Sequence, residues 1–417
     1  MTAPSIKRIF VGTVVLTGAG LLAMPCSDAD PATPIPAPTH PAASSSQVDP
    51  RLAVADNAFG LKLFAVLRKQ DPGKNIFISP SSIALALAMV YNGAGTTTKD
   101  AMATSLGLQG LTLADVNKAN SDLVAMLQNP DPEVTLTVAN SLWIRSGFPV
   151  KSDFTQRLQA SYGAEATSLD FDSPGAPATI NKWVSDATNQ KIPTIVDTIP
   201  PDESMFLINA IYFNGTWTDE FNPNATYTRT FTRADGTKIG VGMMYRAGSW
   251  KYLANDKFEA IQLPYGSGRL ALCVILPSPK SSMEDLVASM DSTTWNQWMG
   301  QFREREVGIT LPSFRTEYSA TLNDALGALG MGIAFDRMKA NFSGISDKPV
   351  LISTVRHRTC LDVNEVGTEA AAVTSIPVPT SGFAPDLHME VDRPFVLAIR
   401  DDKSGAILFI GAIEDPS

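Results

Sequence analysis

Residues 364–385, NEVGTEAAAVTSIPVPTSGFAP, begin like the end of a β-strand and then lose every feature of a packed element. The run 370–372 consists of three alanines, whose small side chains fill no core. Four residues that break regular structure follow: Pro377, Pro379, Gly382 and Pro385. Prolines this dense exclude a helix and favour an extended, exposed loop. A structureless loop of about 20 residues in a compact domain is usually functional or disordered.

Two interpretations of this loop follow from its composition. It is either a flexible surface connection, or a segment whose small side chains, 370–374, can slide between two existing strands with little steric hindrance. The pattern Glu365-x-Gly367-Thr368-Glu369, followed by three alanines, resembles the hinge of the reactive-centre loop in inhibitory serpins. The rest of the chain tests this resemblance.

Length and composition set the first limits on function. The chain has 417 residues, 44% of them apolar, which is enough for one large domain or two ordinary ones. Its net charge of −9 argues against nucleic acid as a general partner. Three cysteines, Cys26, Cys273 and Cys360, are too few for a disulfide framework or a zinc cluster. No dense basic helix stands out, so we predict no heparin-like cofactor. We also predict no metal and no other cofactor.

The N-terminal residues predict export. Lys7 and Arg8 precede an apolar run, 9–24, which is typical of a secretory signal peptide over residues 1–25. An uncleaved membrane anchor is the alternative. Cys26 follows at once and resembles the lipid-bearing cysteine of bacterial lipoproteins, although Pro25 departs from that pattern, so a membrane tether through Cys26 stays open. We therefore expect an extracellular or cell-surface protein.

Residues 26–49 are rich in Pro, Ala and Ser and cannot bury an apolar surface, so they predict a semi-rigid tether. The folded domain is expected over residues 50–417. Its elements follow from periodicity. Helices are predicted over 52–68, on the domain surface, and over 83–90, 180–192 and 322–331, and strands over 76–78, 134–144, 207–217, 258–264, 270–276, 307–314, 350–363, 392–399 and 406–411.

Buried polar residues stand out in two of these strands. Asn209 lies in the nearly all-apolar strand 207–217, where an unpaired amide would cost on the order of 1–3 kcal/mol. His357 shares the apolar face of strand 350–363, which is typical of a core histidine with satisfied hydrogen bonds. Ser79 is placed to cap the helix that starts with Pro80, and this helix is apolar nearly all round, so it should be buried.

The segment NIFISPSSI at 75–83 resembles the start of the central serpin helix, and strand 207–217 resembles a serpin main-sheet strand ending at Trp217. With matching spacing over about residues 50–415, the chain is identified as a member of the serpin family. This implies an α+β fold with a five-stranded main sheet, two further sheets, about eight to nine helices and an exposed reactive-centre loop at about 366–387. We expect a monomer.

An enzyme is not predicted. The three histidines, His40, His357 and His388, lie in the tether, on a core face and after the loop, so none is placed beside a nucleophile. The sequence contains no G-x-S-x-G, Walker, HExxH or dinucleotide-binding pattern.

The resemblance implies a suicide-substrate inhibitor of serine proteases, in which the cleaved loop enters the main sheet as a new central strand. It implies three groups of residues. The hinge comprises Glu365, Gly367, Thr368, Glu369, Ala370, Ala371, Ala372 and Val373, where Gly367 should supply backbone freedom. The shutter, a polar cluster under the sheet, comprises Ser79, Ser82, Asn209 and His357. The breach, where insertion starts, comprises Trp217 and Glu365.

The cleaved bond depends on which landmark is used for counting. From Glu365, the family spacing places it between Ser381 and Gly382, whereas counting back from Arg393-Pro394-Phe395 places it at Phe383. We prefer the first count. Both counts place the cleaved bond within the stretch from Thr380 to Ala384. A cut at Thr380 or Ser381 suits an elastase-like or subtilisin-like protease, and a cut at Phe383 suits a chymotrypsin-like one.

The alternative function is a non-inhibitory serpin that binds a partner or ligand. Pro377 and Pro379 favour it, because proline lacks the N–H that a central strand needs. Against it, residues 370–375 include no bulky or charged side chain.

Overall fold

The computed structural model of the chain describes residues 48–128, 130–164, 166–368 and 385–417. The predicted signal peptide, nearly all of the tether and Cys26 lie outside these residues. So do Glu369 to Val373 of the hinge and every candidate for the cleaved bond. No α-helix of the described residues is both long and apolar enough to span a membrane.

Nine α-helices occur in the described residues. They are α1 (Pro50–Gln70), α2 (Pro80–Tyr91), α3 (Thr96–Leu106), α4 (Leu113–Gln128), α5 (Ser152–Tyr162), α6 (Ala176–Ala187), α7 (Met283–Ala288), α8 (Ser292–Gln301) and α9 (Asn323–Leu326). The predicted helix 322–331 is shorter than expected, because α9 gives way to a π turn in which Gly330 has a φ of 105°. The predicted helix 180–192 ends at Ala187, and Asn189 and Gln190 then take positive φ values.

Fifteen strands occur in the same residues. They are β1 (Ile76–Ile78), β2 (Val134–Arg145), β3 (Ala166–Leu169), β4 (Met205–Thr216), β5 (Tyr227–Thr232), β6 (Lys238–Ala254), β7 (Phe258–Tyr265), β8 (Leu270–Pro277), β9 (Arg303–Pro312), β10 (Phe314–Thr321), β11 (Thr354–Val363), β12 (Gly367–Thr368), β13 (Leu387–Glu390), β14 (Phe395–Asp401) and β15 (Ile407–Ile413). The predicted strand 307–314 is divided between β9 and β10.

The main sheet has the order β10-β11-β12-β4-β2-β3. Its five longer strands confirm the prediction, and the sixth, β12, has only two residues. Strands β11 and β4 run parallel and pair directly from Thr354 with Phe206 to Cys360 with Tyr212. We call this junction the seam. β12 lies between the same two strands just beyond Cys360 and Tyr212, and we call that position the upper end of the seam.

The prediction of two further sheets is wrong in detail. The remaining nine strands form a single sheet, in the order β1-β15-β14-β8-β7-β6-β9-β13, with β5 paired to β6. The 17-residue strand β6 causes this, because its first part pairs with β5 and its later part pairs with β9 and then β7. One long strand thereby joins two sets of strands that would otherwise be separate.

Helices cover both faces of the main sheet. α2 lies against β2 and β4 on the inner face, and every residue of α2 is buried, as predicted. On the outer face, Ile180 and Val184 of α6 pack with Trp143 of β2 and Ile208 of β4. The expected surface position of α1 is wrong, because it buries residues on most of its sides, including Asp56 and Arg68.

Candidate functional site

The upper end of the seam holds the first two residues of a strand between β11 and β4. Thr368 pairs with Val363 of β11 and with Gly215 of β4, and Gly367 pairs with Thr216. Thr368 is 0% exposed. Its hydroxyl lies 2.6 Å from the hydroxyl of Tyr265, which belongs to the other sheet. The hinge is therefore already part of the main sheet at Gly367 and Thr368.

Gly367 is needed for space and not for backbone freedom. Its φ is not in the positive region where glycine is favoured. A Cβ on Gly367 would lie 2.1 Å from the carbonyl oxygen of Gly215 and 2.8 Å from the Cα of Thr216. The expectation that Gly367 supplies conformational freedom is therefore wrong for this state, since the close approach of two backbones excludes any side chain here.

The segment just before the hinge is held by the two predicted breach residues. The indole Nε1 of Trp217 donates to the carbonyl of Asn364 (2.9 Å), and its backbone N–H donates to the carbonyl of Val366 (2.9 Å). Oε1 of Glu365 accepts a hydrogen bond from the hydroxyl of Thr226 (2.6 Å). The hydrogen bonds of Trp217 and of Glu365 therefore both hold residues 364–366, which lead into β12.

Two residues at this end were not predicted from the sequence. The ring of Tyr265 stacks on Trp217 at 4.5 Å, and its hydroxyl contacts Thr368, so it connects the breach to the hinge. Oδ1 of Asn364 accepts hydrogen bonds from the N–H groups of Val366 (3.0 Å) and Gly367 (3.2 Å), which fixes the turn into β12. The signal for Asn364 was available, because Asn commonly organises such turns through its side chain.

The four predicted shutter residues form one hydrogen-bonded cluster beneath the seam. The backbone N–H of Ser79 donates to Nε2 of His357 (3.3 Å), so Nδ1 carries the imidazole proton. Nδ1 then donates to Oδ1 of Asn209 (2.5 Å), which is the contact that crosses from β11 to β4. Nδ2 of Asn209 donates to the hydroxyl of Ser82 on α2 (2.5 Å). The hydrogen-bond partners that Asn209 needs are therefore His357 on the neighbouring strand and Ser82 on the helix below.

Asn140 of β2 is a fifth member of the cluster that the sequence analysis missed. Its Oδ1 accepts the second N–H of Asn209 (2.5 Å), and its Nδ2 donates to the carbonyl of Ser82 (3.4 Å). The available signal was an amide on the inner face of a predicted half-buried strand, the same signal that identified Asn209. Through Asn140, the cluster extends over β11, β4 and β2.

Among the described residues, His, Cys, Asp and Glu form no group of three or more that could hold a metal ion. The five members of the polar cluster are neutral, and their hydrogen bonds join β11, β4, β2 and the start of α2.

A family model for Serpin (serine protease inhibitor) matches residues 54–416. The chain belongs to the serpin family. It is 34% identical over 394 residues to an uncharacterized serpin-like protein of Methanosarcina acetivorans, covering 89% of this chain and 90% of that protein. It is 32% identical to the human leukocyte elastase inhibitor over 379 residues, covering 88% of this chain and all of the inhibitor. The native state of the thermophilic serpin Tengpin superposes with a TM-score of 0.83 at 30% identity, covering 90% and 97% of the two chains.

In this serpin, the polar cluster spans the seam. A segment entering between β11 and β4 from the upper end must separate the seam and break the hydrogen bond between His357 and Asn209. Because that bond joins neutral groups, its loss leaves no unpaired charge in the core. His357 and Asn209 lie in the seam itself, whereas Ser79 and Ser82 lie beneath it at the start of α2.

Burial lowers the pKa of His357 to about 3, far below the ordinary value of 6.5. Between pH 6.5 and pH 3, His357 is therefore protonated in the unfolded chain but neutral in the folded chain. The contribution of His357 to the free energy of unfolding is fully present above pH 6.5 and is lost as the pH decreases. At pH 5 we expect a loss of about 2 kcal/mol relative to pH 7 from this group.

Urea unfolding midpoints at pH 5 and pH 7 measure this effect. His357→Asn should lose less stability between the two pH values than the unaltered protein does. His388→Asn, a change at an exposed histidine of β13, is the matched control and should keep the full dependence. Equal losses in the protein and in His357→Asn would contradict the assignment.

Proposed function

We propose that this serpin is a suicide-substrate inhibitor of serine proteases that traps the acyl-enzyme by inserting its cleaved loop into the seam. The observation that carries the proposal is that β12 pairs with both neighbours, through Gly367 and Thr368 with β4 and through Thr368 with β11. These two residues have begun the strand that the proposal requires, at the end of the seam from which it must grow.

The register of the seam supports continued insertion. Val363 and Gly215, the two partners of Thr368, are 148 residues apart in the chain, as are His357 and Asn209, which pair across the seam. An antiparallel strand that continues from Thr368 would therefore pair with β11 and with β4 in one continuous register, without a bulge. On this register Thr374 would lie between His357 and Asn209, and it would share the inward face with Thr368.

The same register weakens the objection from the two prolines. Pro377 would lie between Thr354 and Phe206, the last pair of the seam, and Pro379 would lie beyond it. A proline at the end of a strand removes few ladder hydrogen bonds, whereas one in the middle of a central strand is excluded. The residues that must enter the interior of the seam, 369–376, contain no proline.

In the proposed reaction, the protease serine attacks the carbonyl carbon of Ser381. The peptide bond to Gly382 breaks, and the carbonyl of Ser381 stays esterified to the protease serine. Gly382 becomes the amino terminus of the C-terminal fragment, which includes β13. The freed N-terminal part then extends β12 along the seam and carries the protease with it. The new strand would form backbone hydrogen bonds with both β4 and β11, in place of the direct pairing that joins these two strands in the uncut protein.

Incubation with elastase, subtilisin and chymotrypsin tests the proposal. We expect an SDS-stable complex with at least one of them, and release of a C-terminal peptide that begins at Gly382. A peptide that begins at Ala384 would instead identify Phe383 as the cleaved residue. Insertion advances about 3.3 Å per residue, so the position of the cut decides how far the protease is moved.

Clean cleavage by all three proteases without any complex would contradict inhibition and favour the alternative, a non-inhibitory serpin. The two prolines remain the observation in favour of that alternative. Neither function requires a catalytic group in this chain.

We also propose that the protein is exported by residues 1–25 and held at the cell surface through Cys26. The basic start, the apolar run and the position of Cys26 support this. After expression in a bacterium that processes lipoproteins, mass spectrometry of the detergent-extracted protein should show a lipid mass on an N-terminal Cys26. The variant Cys26→Ser should be released from the membrane fraction. An unmodified Cys26 in the extracted protein would rule out the lipid and leave secretion.

A further inference from the structure

Side chains close the lower end of the seam, where the backbone ladder stops. The direct pairing of β11 with β4 ends at Thr354 and Phe206. Beyond this pair, the N–H of Ser353 donates to the carbonyl of Met205 (3.0 Å), and the other hydrogen bonds described across the seam involve side chains. We call the four residues that supply these side chains the lower closure: Glu203, Ser204, Ser353 and Thr354.

Ser353 is the centre of the lower closure. Its hydroxyl oxygen accepts hydrogen bonds from the backbone N–H groups of Ser204 (2.9 Å) and Met205 (3.4 Å), and it lies 3.1 Å from the hydroxyl oxygen of Ser204. The hydroxyl of Ser204 in turn donates to the carbonyl of Leu351 (3.1 Å). The two serines therefore continue the junction of β11 and β4 through their side chains, past the last backbone pair.

Glu203 brings a carboxylate into the lower closure. Its Oε1 accepts a hydrogen bond from the hydroxyl of Thr354 (2.8 Å), and the two residues are only 9% and 8% exposed. Its Oε2 is buried and has no hydrogen-bond partner among the residues that the structure describes. Separation of β11 from β4 would remove the hydroxyl of Thr354 as well, and a buried carboxylate without partners is unfavourable. The lower closure therefore opposes opening of the seam through a charged group, which the neutral shutter does not contain.

The two sides of the lower closure are attached to different parts of the fold. Arg145 of β2 holds one side, because its backbone N–H donates to the carbonyl of Ser204 (3.0 Å) and its Nε donates to the carbonyl of Glu203 (2.7 Å). Asn323 of α9 holds the other side, because its Nδ2 donates to the carbonyl of Ser353 (2.8 Å). β2 pairs with β4 over nearly its whole length, so residues 203–204 must move with β4 when it separates from β11. The contacts of the lower closure must then break.

We propose that the lower closure holds the seam shut independently of the shutter, and that Ser204 and Ser353 must separate before protease trapping is complete. β12 already lies between the strands at the upper end. A strand that grows from Thr368 passes the shutter at His357 first and reaches the lower closure last. This inference rests on the insertion mechanism proposed above. It makes the lower closure the final barrier to insertion, so its strength influences what fraction of the protease is trapped before the acyl ester hydrolyses.

A reversible disulfide tests whether the lower end has to open. The hydroxyl oxygens of Ser204 and Ser353 are 3.1 Å apart, so sulfur atoms at these positions are within reach of a bond. The double variant Ser204→Cys, Ser353→Cys is made together with Cys26→Ser, since the natural Cys273 and Cys360 are buried. The oxidised variant should form at least about tenfold less SDS-stable complex than the reduced variant, because the crosslink prevents the two strands from separating. Its loop should be cut at a rate within about twofold of the reduced form.

The control is the Cys26→Ser protein without the two added cysteines, which should form the same amount of complex under oxidising and reducing conditions. Equal complex formation by the oxidised and reduced double variant, with the disulfide verified by mass, would overturn the inference and leave the insertion mechanism intact. If the control itself forms no complex with any of the three proteases, the proposed function is contradicted, and the inference is lost with it.

Ser353→Ala gives a second measurement that needs no crosslink. It removes the acceptor of two N–H groups and should lower the unfolding temperature of the uncut protein by at least about 3 °C. The clipped protein should change by less than about 1 °C, because the contacts of the lower closure are already broken in it. Ser105→Ala is the matched control, since this buried hydroxyl donates to the carbonyl of Leu329 (2.9 Å), away from the seam, and its loss should affect both forms equally. An equal effect of Ser353→Ala on the two forms would show that the lower closure survives insertion, and the inference would be wrong.

Discussion

Thr368→Arg is expected to abolish the trapping of proteases while the loop is still cut. Thr368 is 0% exposed, between Val363 and Gly215, with its hydroxyl on that of Tyr265. An arginine there would bury an unpaired charge, which costs several kcal/mol. The strand could then not start, although the candidate cleavage site at 380–384 is unchanged. We expect the yield of SDS-stable complex to fall at least tenfold, with loop cleavage continuing at its former rate.

The matched control is Thr368→Ser, which keeps the hydroxyl that contacts Tyr265. It should form complex nearly as well as the unaltered protein. Both variants are compared by gel for complex and by mass spectrometry for the released peptide. Undiminished complex formation by Thr368→Arg would show that this residue does not have to enter the sheet, and the hinge assignment would be wrong.

Cleavage in the loop is expected to raise the unfolding temperature by at least about 10 °C. The new strand would replace the direct pairing of β4 and β11 with a ladder on each of its sides, a net gain of roughly ten backbone hydrogen bonds, each worth about 1 kcal/mol. In a chain of this size, 1 kcal/mol shifts the midpoint by about 1–2 °C, less than in smaller domains. Differential scanning of the protein before and after limited proteolysis measures the change.

Thr368→Arg provides the control for this second result as well. Its clipped form should melt at the same temperature as its uncut form, because the strand cannot enter. A clipped, unaltered protein that melts no hotter than the uncut one would mean that insertion releases no free energy, and the inhibitory function would be contradicted.

Much of the fold could be predicted because its signals are local. Ser79 and Pro80 specify the start of α2, and the apolar run after them specifies its burial. The strands with continuous apolar sequence, such as β4 and β8, were found for the same reason. β5 and β6 were missed. β5 has one buried residue, and β6 contains Gly240, Gly242 and Gly248, a residue type that strands disfavour, among its alternating apolar residues.

The candidate site also contains residues that the sequence could identify and one that it could not. Asn209 and His357 were identifiable because a polar group on an apolar strand face requires a partner. Asn140 could have been found by this argument. Tyr265 could not, because an aromatic residue at the end of an apolar strand is ordinary, and only its place next to Trp217 and Thr368 gives it a role.

The amino-acid sequence by itself determined the family, nine of the fifteen described strands and four of the nine described helices in their order, and which polar side chains must find partners in the core. Only the tertiary structure decided how far the hinge enters the main sheet. That extent depends on the missing side chain of Gly367, which lets its backbone approach the carbonyl of Gly215, and on a tyrosine from the other sheet that contacts Thr368. Both contacts join residues more than a hundred positions apart in the chain, so no local pattern contains them.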